Sequence, residues 1–352
     1  MKKTRIALIG CGNIGRFHLE HFKQMPEVEL VGVCDLIIEK AEVFAKEMNC
    51  PAFKDYKEML DAVSPEAVFI GIPPYCHGEI EFTLIERKIH MFVQKPVGLD
   101  RKLILDINDK IRESGIITAS GLQLRYETTV PVLKDFASRH KIVSSSFVRL
   151  GRVPQIEWWR DRSKSGGQLV EQAIHQVDMM RYVLDDEAEE VFSFGSHDII
   201  KDMPGFDVED MSVSAIRFKK GTLATFTVGC YATGNEPSEN KMIFGATDAR
   251  ADYFMLERLK VYGDKVEAQA ENDSAEVVKG DGRIISSGNA TIYQPSGDCG
   301  LVCDKTFIKA IQTGDPSIIK SPYEDAIKSV FLTLACNESM VTGKPVKVDL
   351  DF

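Results

Sequence analysis

Glu171, His175, Asp178 and Tyr182 follow one another at steps of four, three and four residues in the stretch SGGQLVEQAIHQVDMMRYVL. At helical period this spacing lines up a carboxylate, an imidazole, a second carboxylate and a phenol. The apolar residues Val170, Ala173, Ile174, Val177, Met180 and Leu184 form a separate stripe, so one helix over residues 165–184 would carry two distinct faces. An imidazole with an ordinary pKa near ~6.5 can take a hydroxyl proton at neutral pH. A carboxylate one turn away can orient it, with Asp178 behind the ring. A solvated outer face would show the same periodicity, and only the rest of the chain can decide between the two readings.

A second set of residues lies near the start. ALIGCGNIGRFH carries Gly10-x-Gly12-x-x-Gly15, with Asn13 and Ile14 inside the motif, directly after an apolar run and opening a helical pattern. Such a turn lets the backbone approach a pyrophosphate whose charge then rests at a helix N-terminus. Twenty residues beyond Gly15 the next apolar run, VELVGVCD, ends at Asp35, where a carboxylate would accept hydrogen bonds from an adenosine ribose. Asp35 would repel a 2′-phosphate, and the following Leu36, Ile37 and Ile38 bring no arginine, so NAD is expected rather than NADP. In VQKPVG, Lys95 falls at the carboxyl end of a predicted strand, the ligand side of a parallel sheet. There a lysine could donate to a hydroxyl and stabilise its developing alkoxide. Pro96 restrains the backbone behind it and makes a cis turn conceivable.

These residues need a scaffold to bring them to bear. Up to about residue 124 the sequence alternates apolar runs with amphipathic helices, including one from Arg101 to Ser114 capped by Asp100, which predicts a parallel sheet with helices on both faces. Beyond it VSSSFVRLGRV, VFSFGSHDII, MSVSAIRFKKGTLATFTVGCYA and NKMIFGATDARADYF read as successive strands, with a hairpin turn at Lys220-Gly221. Residues 263–300 read as irregular hairpins or loop; helices at Cys303–Thr313 and Tyr323–Thr342 and a short last strand close the chain. The expectation is two domains, residues 1–124 and 125–352, the second α+β on a mostly antiparallel sheet.

The bulk numbers exclude several classes. A net charge of −10 supplies no basic footprint for nucleic acid or an anionic membrane surface. No apolar run reaches the ~18 residues a bilayer span requires, and the run Ile6–Ile9 is too short for a signal peptide. Eight scattered cysteines with no C-x-x-C predict buried reduced thiols in a cytoplasmic protein and no metal site. His18 and His21, three apart on the first predicted helix, read as packing and surface residues rather than metal ligands.

The order of GCGNIG, the aspartate ending the second strand, PP..CH, QKPVG and SGGQLVEQAIHQVD resembles the Gfo/Idh/MocA family, the glucose–fructose oxidoreductases and inositol dehydrogenases, and the likeness covers essentially the whole chain. The resemblance implies an N-terminal Rossmann domain, a doubly wound parallel sheet binding NAD, and a C-terminal domain with a large, mostly antiparallel open sheet that binds substrate and forms dimers or tetramers. It implies a hydride transfer between nicotinamide and a hydroxyl or keto carbon of a sugar, cyclitol or sugar derivative. Lys95, His175 and Glu171 are then catalytic, with two departures: Gln94 stands where the family has glutamate, and Glu171 where it has aspartate. Pro73, His77 and Gln94 join Gly10, Gly12, Asn13, Ile14, Gly15, Asp35 and Lys95 on the cofactor side, although His77 also reads as a packed loop residue. Gln123, Arg125, Trp159 and Arg160 join Lys95, Glu171 and His175 as substrate contacts; a merely packed loop would explain the EWWRD segment equally well. Two other functions stay open: cleavage of a glycoside with NAD recycled, and a non-catalytic sensor of dinucleotide and sugar.

Overall fold

The computed structural model describes residues 3–200, 203–232, 238–264, 276–279, 282–287 and 290–352. The chain divides into two units, one made of residues 1–123, 299–327 and 352, the other of residues 124–298 and 328–351. The first unit opens with β1 (Thr4–Ile9), α1 (Asn13–Phe22), β2 (Val28–Cys34), α2 (Ile38–Met48), β3 (Ala52–Phe53), α3 (Tyr56–Val63) and β4 (Ala67–Ile70). It continues through α4 (Glu79–Glu86), β5 (His90–Val93), α5 (Arg101–Ser114) and β6 (Thr118–Ser120). All six strands pair in parallel in the order β3-β2-β1-β4-β5-β6. The order reverses between β1 and β4, the crevice where doubly wound sheets take their ligands. Apolar runs rather than alternation mark these strands because both sheet faces are covered: Ile6, Leu8, Val68, Phe69 and Val93 are wholly buried.

The second unit holds α6 (Val130–Arg139), β7 (Ile142–Leu150), two single turns α7 (Arg162–Ser165) and α8 (Gln168–Glu171), and α9 (Ile174–Leu184). Nine strands follow: β8 (Ala188–Ser196), β9 (Met211–Phe218), β10 (Leu223–Gly229), β11 (Glu239–Ala246), β12 (Arg250–Phe254), β13 (Arg258–Tyr262), β14 (Glu276–Lys279), β15 (Gly282–Ser287) and β16 (Ala290–Gln294). Then come α10 (Cys299–Thr313), α11 (Tyr323–Thr342) and β17 (Val346–Lys347). The eleven strands β7 to β17 form one sheet in the order β14-β15-β16-β13-β12-β11-β7-β10-β9-β8-β17, antiparallel except where β7 meets β10. Along β9, Ser212, Ser214, Ile216 and Phe218 are buried while Val213, Ala215 and Arg217 are exposed, the alternation of a sheet with one open face.

Three features differ from the sequence reading. Residues 299–327 join the first unit, whereas a cut at 124/125 put everything after it in the second. The reason is packing: Phe307 of α10 meets Phe69 and Phe92 edge-on at 5.5 and 5.6 Å. The stretch read as irregular after residue 263 contains the paired strands β14 to β16, while part of it lies outside the described residues. The helix expected over 165–184 is interrupted, because α8 ends at Glu171 and α9 begins at Ile174. The Ala173 amide reaches back to the Gln168 carbonyl, five residues away, and so breaks the α-helical ladder between Glu171 and His175.

Asp100 caps α5 by accepting the Leu103 amide at 2.7 Å. Asp100→Ala is expected to lower unfolding stability by about 1 kcal/mol. Lys102→Ala, which removes an exposed pairing with Asp106 in the same helix, is expected to change it by less than ~0.5 kcal/mol. Urea unfolding of both variants checks the contrast.

Candidate functional site

The first unit builds its part of the site where β1 turns into α1. A Cβ on Gly15 would lie 2.1 Å from the Gly10 carbonyl oxygen, and one on Gly10 would lie 2.3 Å from the Gly71 oxygen at the end of β4. Both glycines are therefore demanded by close backbone approach. A Cβ on Gly12 would meet nothing within 4 Å, so the turn is closed underneath and open above, at the N-cap of α1. Asn13 and Ile14 form the first turn of that helix. The carboxylate of Asp35, half-buried just past β2, accepts the Cys11 amide at 2.8 Å and the Ile37 amide at 2.9 Å. Its neighbours Leu36 and Ile37 are 80% and 50% exposed, which leaves an apolar ledge without a cation beside that carboxylate. An open anion-accepting turn and an anchored acid at the end of the second strand fit a dinucleotide's pyrophosphate and ribose.

Past β4, Pro73 leads into a 3-10 turn over Pro74–Cys76. His77 follows, buried, with Nδ1 2.5 Å from Glu81 Oε1, while the Gly78 amide donates to Glu81 Oε2 at 2.7 Å. Burial alone would push the Glu81 carboxyl up. The charge and hydrogen bond of His77, with the Gly78 amide, outweigh it and hold that carboxyl below its ordinary value. His77 Nε2 is buried with no hydrogen-bond partner in the protein, a polar atom that a bound ligand would satisfy. Lys95 follows β5, and the Lys95–Pro96 peptide is cis. Gln94 differs from the expectation that it contacts cofactor: it is buried, and its amide bonds to His18 Nε2 and to the Lys95 backbone N–H. His18 and His21 also differ from the sequence reading. Both are buried on Asp304, an acidic partner that α10 brings from far along the chain.

In the second unit Gly166 and Gly167 adopt φ of 76° and 87°, a region that favours glycine, and lead into α8. A Cβ on Gly167 would also sit 2.7 Å from Glu209 Oε2. Glu171 ends α8, half-buried, and its Oε2 accepts Trp159 Nε1 at 2.9 Å and Gln172 Nε2 at 2.7 Å. Arg149, near the end of β7, donates to Gln172; burial lowers its pKa and the nearby Glu171 charge opposes that. His175, in the first turn of α9, is likewise half-buried. The line is thus no solvated face: Glu171, His175 and Tyr182 are half-buried and Asp178 is internal. Asp178 is 1% exposed and accepts Arg125 Nε at 2.8 Å, Arg125 Nη2 at 2.5 Å and Ser329 Oγ at 2.8 Å. Arg125 in turn lies over the Tyr182 ring at 4.6 Å.

Two expected substrate contacts are corrected by this geometry. Arg125 is 2% exposed and spends its guanidinium on Asp178 and Tyr182. Trp159 is wholly buried in a cluster with Val153, Val208 and Cys230, where it orients Glu171 instead of offering a face to a ring. Arg160 is half-buried with Nε buried and unpartnered, and Gln123 is half-buried. Arg149 and Gln172 are the members the sequence reading missed; Gln172 adjoins Glu171, but neither falls on the line through 171, 175, 178 and 182. All eight cysteines are free, five of them buried, with Cys76 exposed against expectation. Burial raises the Cys11, Cys34, Cys230 and Cys336 thiols to about 12, which leaves them unreactive.

Asp178→Ala would strand the Arg125 guanidinium in the interior. The expected loss is about 3–5 kcal/mol of stability, against a much smaller loss for Tyr182→Phe, which keeps the ring beneath Arg125. Thermal melting of the two variants measures the difference.

The comparisons with known proteins agree with this architecture. Residues 4–121 match the "Oxidoreductase family, NAD-binding Rossmann fold", and residues 140–268 match the "GFO/IDH/MocA C-terminal domain". The chain is 24% identical over 353 aligned positions to the myo-inositol 2-dehydrogenase of Thermotoga maritima, covering 98% of each. Two solved structures share the fold: the WlbA dehydrogenase of Bordetella pertussis in complex with NADH and UDP-GlcNAcA, and myo-inositol 2-dehydrogenase of Lactobacillus plantarum. The first has a TM-score of 0.80 at 18% identity, covering 99% of this chain and 100% of that one. The second has a TM-score of 0.76 at 20% identity, with the same coverage. Among the described residues no helix is long and apolar enough to cross a membrane. The chain belongs to the Gfo/Idh/MocA oxidoreductase family, and its first unit is an NAD-binding Rossmann domain.

Proposed function

We propose that this protein is an NAD-dependent dehydrogenase acting on a CH–OH group of a sugar, cyclitol or sugar derivative. The observation that carries the reading is the half-buried Glu171 carboxylate, held by Trp159 and Gln172 and followed four residues later by the half-buried His175. The dinucleotide, when bound, supplies the hydride acceptor at the nicotinamide. Gly10, Gly12, Asn13, Ile14 and Gly15 hold its pyrophosphate and Asp35 its ribose, while Pro73 and His77 lie toward the nicotinamide end. In this reading His175 is the base for the hydroxyl proton, Lys95 the donor that stabilises a developing alkoxide, and Glu171 the carboxylate that orients imidazole or substrate. Gln123 and Arg160 are left as substrate contacts. The apolar ledge at Leu36 and Ile37 beside Asp35 favours NAD over NADP.

The domain roles follow: the unit of residues 1–123 and 299–327 binds NAD, and the unit of residues 124–298 and 328–351 binds substrate and carries assembly. Phe194, Val213 and Leu223, 66%, 43% and 59% exposed on the sheet, support a homodimer or homotetramer joined across its open face. The free thiols suit a reducing compartment such as the cytoplasm.

A panel of cyclitols, aldoses, sugar acids and glycosides with NAD tests the reading, followed by NADH absorbance and product mass together. Net NADH on one class, reduced by about 10²–10³-fold in Lys95→Ala and in His175→Ala, is the expected result. A cleaved glycoside without net NADH would replace it with the recycling reaction, and tight NAD binding without turnover would replace it with a sensor. NADH should bind at least about tenfold more tightly than NADPH, a preference that Asp35→Ala narrows in a fluorescence titration.

A further inference from the structure

Behind Lys95 runs a line of buried hydrogen bonds that the proposed chemistry does not use. His18 and His21, one turn apart on α1, each place Nδ1 2.7 Å from the same oxygen of Asp304, Oδ2. His18 Nε2 lies 2.7 Å from Gln94 Nε2, and Gln94 Oε1 accepts the Lys95 backbone N–H at 3.2 Å. None of these side chains is more than 3% exposed, apart from Lys95 itself. The rings of Phe17, Phe22, Phe69 and Phe92 surround His18 at 5.2–6.1 Å between centroids.

The polarity of the line is determined at its Lys95 end. A backbone N–H can only donate, so the Gln94 oxygen must face it and the Gln94 amino group must face His18. His18 Nε2 then has to accept, which puts the ring proton on Nδ1, toward Asp304. Every donor points toward Asp304, and hydrogen bonds in such a series strengthen one another. Although burial pushes the Asp304 carboxyl up, the hydrogen bonds of the two histidines help to hold it below its ordinary value. Two imidazoles and a carboxylate are also the donor types of a metal site. Here both Nδ1 atoms already stand at hydrogen-bond distance from one oxygen, and the second nitrogen of His18 is taken by Gln94. Gly121 adds an independent sign of design for this amide: a Cβ there would lie 2.2 Å from Gln94 Oε1 and 2.7 Å from Nε2.

We propose that Asp304, His18 and Gln94 form a positioning line for Lys95, and that glutamine at 94 is matched to a neutral His18. The inference rests on reading Lys95 as the group that polarises the substrate oxygen. A glutamate at 94 can only accept when ionised, and His18 Nε2 would then face it lone pair to lone pair. The buried line could be rebuilt only by one extra proton, either on His18 or on the new carboxyl. That proton is held at low pH and lost as pH rises, so placement of Lys95 in Gln94→Glu becomes pH-dependent. The titratable groups facing His18 are His21 on its own helix and Asp304 on α10; β4 and β5 turn Phe69 and Phe92 toward it.

Two measurements test this. In the first, nitrogen-15 spectra of labelled histidine, which need no substrate, should show His18 in the wild type as the neutral Nδ1–H tautomer at pH 7.5. Hydrogen exchange should show its Lys95 amide protected, and Gln94→Ala should expose that amide. An imidazolium or an Nε2–H tautomer at His18 in the wild type, or a Lys95 amide indifferent to Gln94→Ala, would overturn the proposal. The second uses the substrate found in the panel. Gln94→Ala, and Gly121→Ala which displaces the amide without removing it, should each lower kcat by about tenfold with NADH affinity unchanged. Gln94→Glu should approach wild-type kcat near pH 6 and fall to the alanine level near pH 9. A Gln94→Glu pH profile identical to the wild type would also overturn it. Should Lys95→Ala leave turnover intact, the catalytic reading of Lys95 fails, while the tautomer and the protected amide still judge the line itself.

Discussion

The close approach of three backbones at the head of the first sheet constrains the whole cofactor side of the site. The Gly10 carbonyl, the start of α1 at Gly15 and the end of β4 at Gly71 lie so near one another that a single Cβ on Gly10 or Gly15 would collide with a neighbouring carbonyl oxygen. This contact lays α1 against the sheet, which opens the Gly12 turn and brings the Cys11 amide within 2.8 Å of Asp35. It also carries His18 over β4 and β5, where Phe69 and Phe92 enclose it. The open Gly12 turn, the anchoring of Asp35 and the enclosure of His18 are therefore consequences of one backbone geometry that a methyl group would forbid. Their dependence on a shared contact explains why a short glycine motif, weak evidence alone, becomes informative when an acid closes the next strand.

The second unit relies on another constraint, the disposal of charge in its interior. Asp178, 1% exposed, is paired with Arg125 and Ser329, and the buried Arg125 guanidinium is in turn met by Asp178 and the Tyr182 ring. These pairings anchor α9, and α9 carries His175. Glu171 is treated differently: it keeps part of its surface, accepts from Trp159 and Gln172, and its charge acts on the nearby, half-buried Arg149.

Much of the architecture was legible in the sequence because it rests on local physics. Apolar runs between amphipathic helices specify a parallel sheet, and Asp100 before Arg101 marks a helix start that the structure keeps to the residue. The hairpin at Lys220-Gly221 appears as the turn between β9 and β10. What escaped depends on partners distant in sequence. Asp304 lies 286 residues from His18, so neither the burial of that histidine nor the return of α10 to the first unit could be read from spacing. Trp159 and Arg125 were drawn toward substrate by their residue types, since nothing local reveals that each is spent on an acid of its own unit. The break between α8 and α9 escaped because Gln172 and Ala173 fit a helix perfectly well by propensity.

The two departures from the family pattern can be understood by what each side chain touches. Glutamine at 94 offers both a donor and an acceptor, and its position demands both: an acceptor for the Lys95 amide and a donor for His18. A glutamate there could meet both demands only by carrying or inducing a proton, so the glutamine removes a titration from beneath the lysine. At 171 the extra methylene of glutamate is matched by Trp159, whose indole nitrogen reaches up from a wholly buried ring to hold the carboxylate. The longer acid is thus tied down by a donor that is itself fixed in the interior. Each of the two residues acts on how rigidly, and with what donors and acceptors, its neighbours are held.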